Sequence, residues 1–382
     1  MLAARNAVVV AFSLNGFLFA SLASRFPDVR EDLALSNGAL GVLLLAIAVG
    51  SILALPTAGA LIHRWSAARV VRGGTVTAVL GLVLAALGAE LFDAAPVCAA
   101  GFFAYGIGTS VWDVSMNVEG AEVERRLGRA IMPRFHAAFS IGAIAGAALG
   151  VPMAALSVPL PLHMGVLGAL GVLLSARFTP AFLPAEEQKS ESSSAGSAWL
   201  EPRTIALGVM VLAFTVAEGA AGDWLSLGLI DGYHVAHWVG VSGYATFVVA
   251  MTVGRVAGPV LLDRFGRPAV LWASAGAAAS GILLVVYGQV LVIVVLGVLV
   301  WGCGAALGFP VGMSAAADDP ARSAARVSVV ATIGYGAFLA GPPLLGWLGD
   351  RVGTLEALLA VACLMGPAAL TVFAARPAPA AP

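Results

Sequence analysis

Val290-Leu291-Val292-Ile293-Val294-Val295-Leu296-Gly297-Val298-Leu299-Val300 is a stretch of eleven residues without a polar side chain. A strand of a transmembrane β-barrel would alternate apolar and polar residues, so this run reads as the middle of a membrane-spanning helix. The same character extends in both directions, through Leu283–Tyr287 before it and Trp301–Gly312 after it. Over the whole chain of 382 residues, 60% are hydrophobic and 11% charged, whereas soluble domains carry about 25% charged residues. The chain is therefore expected to be an integral membrane protein, all-α, with no room for a soluble catalytic or nucleotide-binding domain.

Apolar windows between charge clusters place twelve spans near 6–24, 36–62, 70–89, 96–118, 135–156, 160–177, 204–230, 239–262, 268–287, 289–312, 328–348 and 354–374. Each is long enough to cross ~30 Å of hydrocarbon. The polar stretch Pro184–Pro202, containing Glu186-Glu187-Gln188-Lys189, has six spans on either side and reads as a flexible linker. The expected organisation is a six-helix bundle over 1–180, a linker over 181–203 and a second six-helix bundle over 204–382. If the N-terminus is cytoplasmic, sixteen of the twenty Lys and Arg fall on the cytoplasmic side, among them Arg64, Arg69, Arg72, Arg125, Arg126, Arg264, Arg267, Arg322 and Arg326. Arg25, Arg30 and Arg351 fall on the other, and Arg255 lies within a span. This asymmetry fits the positive-inside rule and puts both termini and the linker in the cytoplasm of a cell bounded by this membrane. Ala20-Ser21-Leu22-Ala23 also fits a secretory cleavage site, but removal of the segment before it would leave eleven spans.

The formal charge of −1 gives no reason to expect a nucleic-acid partner. Cys98, Cys303 and Cys363 lie in apolar runs without CxxC or Cys/His spacing, and the five histidines are scattered, so neither a disulfide framework nor a metal site is expected. No cofactor is implied, and a monomer in the bilayer is the expected state.

The halves match at an offset close to 200. His63-Arg64-Trp65 follows span two as Asp263-Arg264-Phe265 follows span eight. Tyr105-Gly106-Ile107-Gly108 parallels Trp301-Gly302-Cys303-Gly304, and the ladder Gly142, Gly146, Gly150 corresponds loosely to Gly336, Gly341, Gly346. Such a pattern implies two parallel six-span repeats related by an axis along the membrane normal.

The stretch Gly258-Pro259-Val260-Leu261-Leu262-Asp263-Arg264-Phe265-Gly266-Arg267 resembles the loop motif of the major facilitator superfamily, and the resemblance covers essentially the whole chain. The N-terminal copy, Gly59 through His63-Arg64-Trp65-Ser66 to Arg69, is degenerate, with His63 in place of Asp and Ser66 in place of Gly. The resemblance implies that Gly258, Asp263, Arg264, Gly266 and Arg267, with Gly59, His63 and Arg64, pair charges across cytoplasmic helix ends and help hold an outward-facing state. Asp113-Val114-Ser115-Met116-Asn117 and Arg134-Phe135-His136-Ala137-Ala138-Phe139-Ser140 further resemble the fucose-permease-like and rhizopine-transporter-like branch. That branch implies a small sugar- or polyol-like solute moved with a proton. The Gly-Pro step of the superfamily's antiporters is missing from Gly150-Val151-Pro152 in span five, which favours import over efflux of a metabolite or drug.

Ionisable groups inside spans are functional candidates, because hydrocarbon disfavours them. Asp113 and Asn117 are four residues apart and share a helix face. They are candidates for solute binding or coupling, against a structural pairing of Asp113 with Arg134 or His136. Glu218, in Ala217-Glu218-Gly219-Ala220-Ala221-Gly222-Asp223-Trp224, lies deep in span seven, where a largely desolvated carboxyl group is suited to carrying a proton. Asp223 is expected nearer the outer face, as a gate. Arg255 is expected to balance a carboxylate or support the loop motif, and would favour an anionic solute if it faced one. Asn15 offers an amide that can read hydroxyl groups. Trp112, Trp224 and Trp301 could stack on a sugar ring, although aromatics in spans more often pack or anchor.

An intramembrane enzyme would need a convergent Ser/His or metal-binding aspartate set, and a channel a ring of pore charges; neither stands out. An ATP-driven pump would need a GxxxxGK[ST] loop, which the sequence lacks.

Overall fold

The computed structural model describes residues 1–128, 131–183, 195–319 and 322–376, so the charged part of the linker, residues 184–194, lies outside the described residues. The described chain is helical throughout, without strands. The helices are α1 (Leu2–Ala23), α2 (Phe26–Asp32), α3 (Asn37–Trp65), α4 (Ala67–Ala86), α5 (Ala95–Leu127), α6 (Met132–Ala155) and α7 (Leu160–Phe178). There follow α8 (Pro202–Ala220), α9 (Ser226–Tyr233), α10 (His237–Tyr287), α11 (Leu291–Ala305), α12 (Gly308–Ala316), α13 (Ser323–Val352) and α14 (Thr354–Thr371).

Local sequence explains where these helices begin and end. Proline in the first turn of α5, α6, α7 and α8 suits positions that need no amide donor. Ser36 caps α3 by accepting from the Ala39 amide at 3.2 Å. Gly128, at φ 64°, closes α5 in the left-handed conformation.

Among the described residues, eleven continuous helical stretches are long and apolar enough to cross a membrane. One of them, α10, has 51 residues and contains Gly266 with φ 76° and ψ 161°, which is not helical. At 1.5 Å per residue its length is more than twice the ~30 Å hydrocarbon thickness, so α10 comprises two passes and the total is twelve, as expected. Spans seven and ten are each composite. Span seven joins α8 to α9 through a π turn at Ala221–Leu225, and span ten joins α11 to α12.

The chain groups into two compact units. Unit 1 is Met1–Gln188 with Val235–Ala245, and unit 2 is Lys189–His234 with Thr246–Pro382. Within unit 1, α5 packs between α3 and α4, while α1 packs on α6. Glycine lets the backbones touch: a β-carbon on Gly108 would stand 2.3 Å from the Ala78 amide of α4. Unit 2 repeats the crossing, since a β-carbon on Gly304 of α11 would stand 2.3 Å from the Ala278 amide of α10. The repeat seen in the sequence is thus a repeat of helix contacts.

One proposed correspondence does not hold. Gly142 in α6 would place a β-carbon 2.0 Å from the Ser13 carbonyl of α1, but Gly341 in α13 has nothing within 4 Å. Unit 2 fills the equivalent contact with side chains: Val211 and Thr215 of α8 stand against Gly334.

Candidate functional site

In unit 1, α5 carries Asp113 and Asn117, and α1 carries Asn15. Asn117 donates its side-chain nitrogen to the Asp113 carbonyl at 2.9 Å and to the Asp113 carboxylate at 3.4 Å, so the two residues share a helix face. Among the described residues no ion pair joins Asp113 to Arg134. The His136 ring lies edge-on to Phe12 of α1, with centroids 5.2 Å apart. Asn15 of α1 is buried, and its amide nitrogen has no hydrogen-bond partner among the described residues. Counting 1.5 Å per residue, Asn15 and Asp113 each lie about 20 Å from the helix ends at Leu2 and Leu127. Trp112 has none of its surface exposed and packs on Gly74 of α4. It offers no face to a solute, contrary to the expectation that it stacks on one.

In unit 2, Arg255 of α10 donates Nη2 to both carboxylate oxygens of Glu218 on α8, at 2.9 and 3.0 Å. Both side chains are about a third exposed, at 28% and 32%. Glu218, paired and about a third exposed, is therefore not the largely desolvated carboxyl group expected from the sequence, and Arg255 balances a carboxylate as expected. Asp223 lies in the π turn, half-buried, without a hydrogen bond or ion pair among the described residues. Trp224 beside it is 1% exposed, and Trp301 is enclosed against Phe247 with ring centroids 5.3 Å apart. These two rings, like Trp112, pack within their unit.

Sequence reasoning passed over a different set of aromatics in unit 2. Phe309 of α12 and Tyr335 of α13 have ring centroids 6.4 Å apart, and Tyr335 and Phe338 are 6.2 Å apart. Tyr335 is 38% and Phe338 42% exposed. Phe338 lies 3.9 Å from where a β-carbon on Gly219 would stand, and Gly219 is the next residue after Glu218. A further residue missed is Glu119 of α5, buried and accepting the Leu183 amide at 2.6 Å. It stands beside the charged run Glu122–Arg126, from which nothing local sets it apart.

The loop motif is built differently in the two units. In unit 2, Arg267 donates to the Asp318 carboxylate at 2.7 and 2.9 Å and to the Ser314 hydroxyl at 3.0 Å, while Arg203 reaches the same carboxylate at 3.0 Å. Gly258 makes room for Leu307, whose methyl would be 2.5 Å from an added β-carbon. Arg264 lies over the Phe265 ring at 5.3 Å, while Asp263 is exposed and has no ion pair among the described residues. In unit 1, Arg64 lies over Trp65 at 5.8 Å, His63 is exposed, and Gly59 has nothing within 4 Å. Near this network Glu201 accepts from Arg326 at 2.6 Å and Arg322 at 2.8 Å. The Arg326 hydrogen bond, then that of Arg322, holds its carboxyl below the usual carboxylate range.

The sequence model of the Major Facilitator Superfamily matches residues 8–342. The transporter y4wD of Sinorhizobium fredii is 33% identical over 370 residues, covering 93% of this chain and 96% of that protein. Among solved structures, the nucleoside transporter NupG superposes with a TM-score of 0.76 at 16% identity, over 98% of both chains. A D-xylose-proton symporter superposes with a TM-score of 0.75 at 15% identity, over 97% of both chains. At such identities the two structures show a shared twelve-helix fold.

Proposed function

The chain belongs to the Major Facilitator Superfamily and is a multi-pass membrane transporter, and we propose that it imports a small sugar- or polyol-like solute together with a proton. The observation that carries this reading is the Glu218–Arg255 pair, a carboxylate and a guanidinium held together inside membrane-spanning helices. Charged groups are retained there at a cost of a few kcal/mol each on insertion scales, so a role in transport is the default reading. The D-xylose-proton symporter supports proton coupling by its shared fold.

The pair supplies a coupling chemistry. Ionised Glu218 holds Arg255; a proton taken up by Glu218 neutralises the carboxylate and releases the guanidinium to hydrogen-bond the solute. Loss of the proton restores the pair and ejects the solute's donor. Asp113 and Asn117, with Asn15 at similar depth, read solute hydroxyls as acceptors and donors. Asp223, nearer the end of its span, acts as a gate. The loop motifs stabilise one state of an alternating-access cycle. In this reading the protein acts as a monomer in the cytoplasmic membrane, with both termini and the linker in the cytoplasm.

Uptake of radiolabelled D-xylose, L-fucose and myo-inositol into cells expressing the protein tests the proposal. At least one should accumulate saturably and be lost on adding a protonophore, and Asp113→Asn should abolish accumulation without loss of protein from the membrane. Accumulation that is indifferent to the protonophore would refute proton coupling.

A further inference from the structure

We propose that unit 2 contains a ring-binding subsite, in which Phe309, Tyr335 and Phe338 receive the C–H face of a cyclic polyhydroxylated solute and Glu218–Arg255 its hydroxyl edge. The proposal rests on the transport reading above and names the solute class.

A chain of pairwise contacts links these groups: Arg255 of α10 to Glu218 of α8, the neighbouring Gly219 to Phe338 of α13, and Phe338 through Tyr335 to Phe309 of α12. The aromatic row is continuous, with centroid spacings of 6.4 and 6.2 Å, and its rings are tilted by 33° and 34°. Such a row offers a floor of aromatic surface, against which the apolar C–H face of a saturated ring can make dispersion contact. At the Phe338 end the floor meets Gly219, which has no side chain to cover the ring, and beyond it the charged pair.

Lipid contact is a poor account of this exposure. Hydrocarbon against the Glu218–Arg255 pair would leave its polar atoms without partners. The pair also has capacity to spare: Arg255 spends Nη2 on Glu218, while Nε and Nη1 have no partner among the described residues. Donors and acceptors side by side match adjacent hydroxyls, and a ring holds those hydroxyls in fixed directions that an open chain must be ordered to reproduce.

Titration calorimetry of the purified full-length protein, with cyclic probes and their open-chain counterparts, tests this. The pairs are myo-inositol with D-mannitol, D-xylose with xylitol, and L-fucose with L-fucitol. At least one ring compound should bind about tenfold or more tightly than its open-chain counterpart, and Phe338→Ala should weaken it about tenfold. Gly219→Leu should weaken it likewise, with a thermal melt that matches the wild type's. Phe338→Tyr, which keeps the ring, should retain affinity. Equal affinity for open chains, no binding of any ring compound, or unchanged affinity in both Phe338→Ala and Gly219→Leu would each overturn the subsite. Protonophore-sensitive uptake of an open-chain polyol by the same protein would leave the transport reading standing and remove this one. Ring binding without any protonophore-sensitive uptake would do the reverse.

Discussion

Between α3 and α4 the chain of unit 1 turns at Ser66 with φ 76° and ψ 152°, and at the matching point of unit 2 it turns at Gly266 with φ 76° and ψ 161°. Each turn carries an arginine over the preceding-loop aromatic, Arg64 on Trp65 and Arg264 on Phe265. The backbone is the same and the chemistry is not. Unit 2 uses glycine where the conformation is essentially reserved for it, and ties the turn to α12 and the segment after it through Arg267, Ser314 and Asp318. Unit 1 puts serine in the strained position and has the buried Ala67 where unit 2 has Arg267. The acidic residue at the end of its span four, Glu122, is held by Arg125 and Arg126 on its own helix. The backbone turn is thus common to both units, while in unit 2 it is tethered by ion pairs distant in sequence, from Arg267 and Arg203 to Asp318.

The largest expected difference lies in those tethers. Asp318→Ala leaves two partly buried arginines without their carboxylate and should cost about 2–3 kcal/mol of unfolding free energy in detergent, whereas Glu122→Ala should cost about 0.5 kcal/mol. Equal losses would mean that the two tethers are equivalent. Next comes the turn itself: Ser66→Gly should stabilise the protein by ~1 kcal/mol and Gly266→Ser destabilise it by a similar amount, read from thermal melts. A smaller contrast concerns the glycines preceding the motif. Gly59→Ala meets nothing and should gain ~0.5–1 kcal/mol of helix propensity, while Gly258→Ala must displace Leu307 and should gain less or lose.

The smallest effect is a pH dependence confined to unit 2. Because Glu201 is held below its unfolded value of 4.5 by Arg326 and Arg322, its contribution is fully present above that value and is lost as pH falls through the lower folded one. Acid denaturation should thus be slightly less steep in Glu201→Gln, and an unchanged profile would remove Glu201 from the account.

Much of this architecture was legible beforehand, because a bilayer forces long apolar helices and the internal repeat then recurs at fixed offset. Val290–Val300 announced its span, and His63/Asp263 and Gly108/Gly304 aligned the halves. What could not be read depends on tertiary placement. Glu218 and Arg255 are 37 residues apart and nothing local pairs them. Trp112 and Trp224 carry the same side chain as any stacking residue, yet their enclosure is set by neighbouring helices. Tyr335 and Phe338, one helical turn apart, look like lipid anchors until Gly219 is found beside them. Gly341, part of an apparent ladder, proved to face no neighbouring helix.

Proton movement measured alongside solute movement tests the central claim most directly. Proteoliposomes containing the wild-type protein and a lumenal pH dye should acidify when D-xylose, L-fucose or myo-inositol is taken up, and an imposed inward proton gradient should drive that solute above equilibrium. Glu218→Gln, permanently neutral and unable to hold Arg255 as an ion pair, should exchange labelled solute for unlabelled while moving no protons and accumulating nothing. If Glu218→Gln proteoliposomes acidify and concentrate the solute as the wild type does, the Glu218–Arg255 pair is not the coupling element.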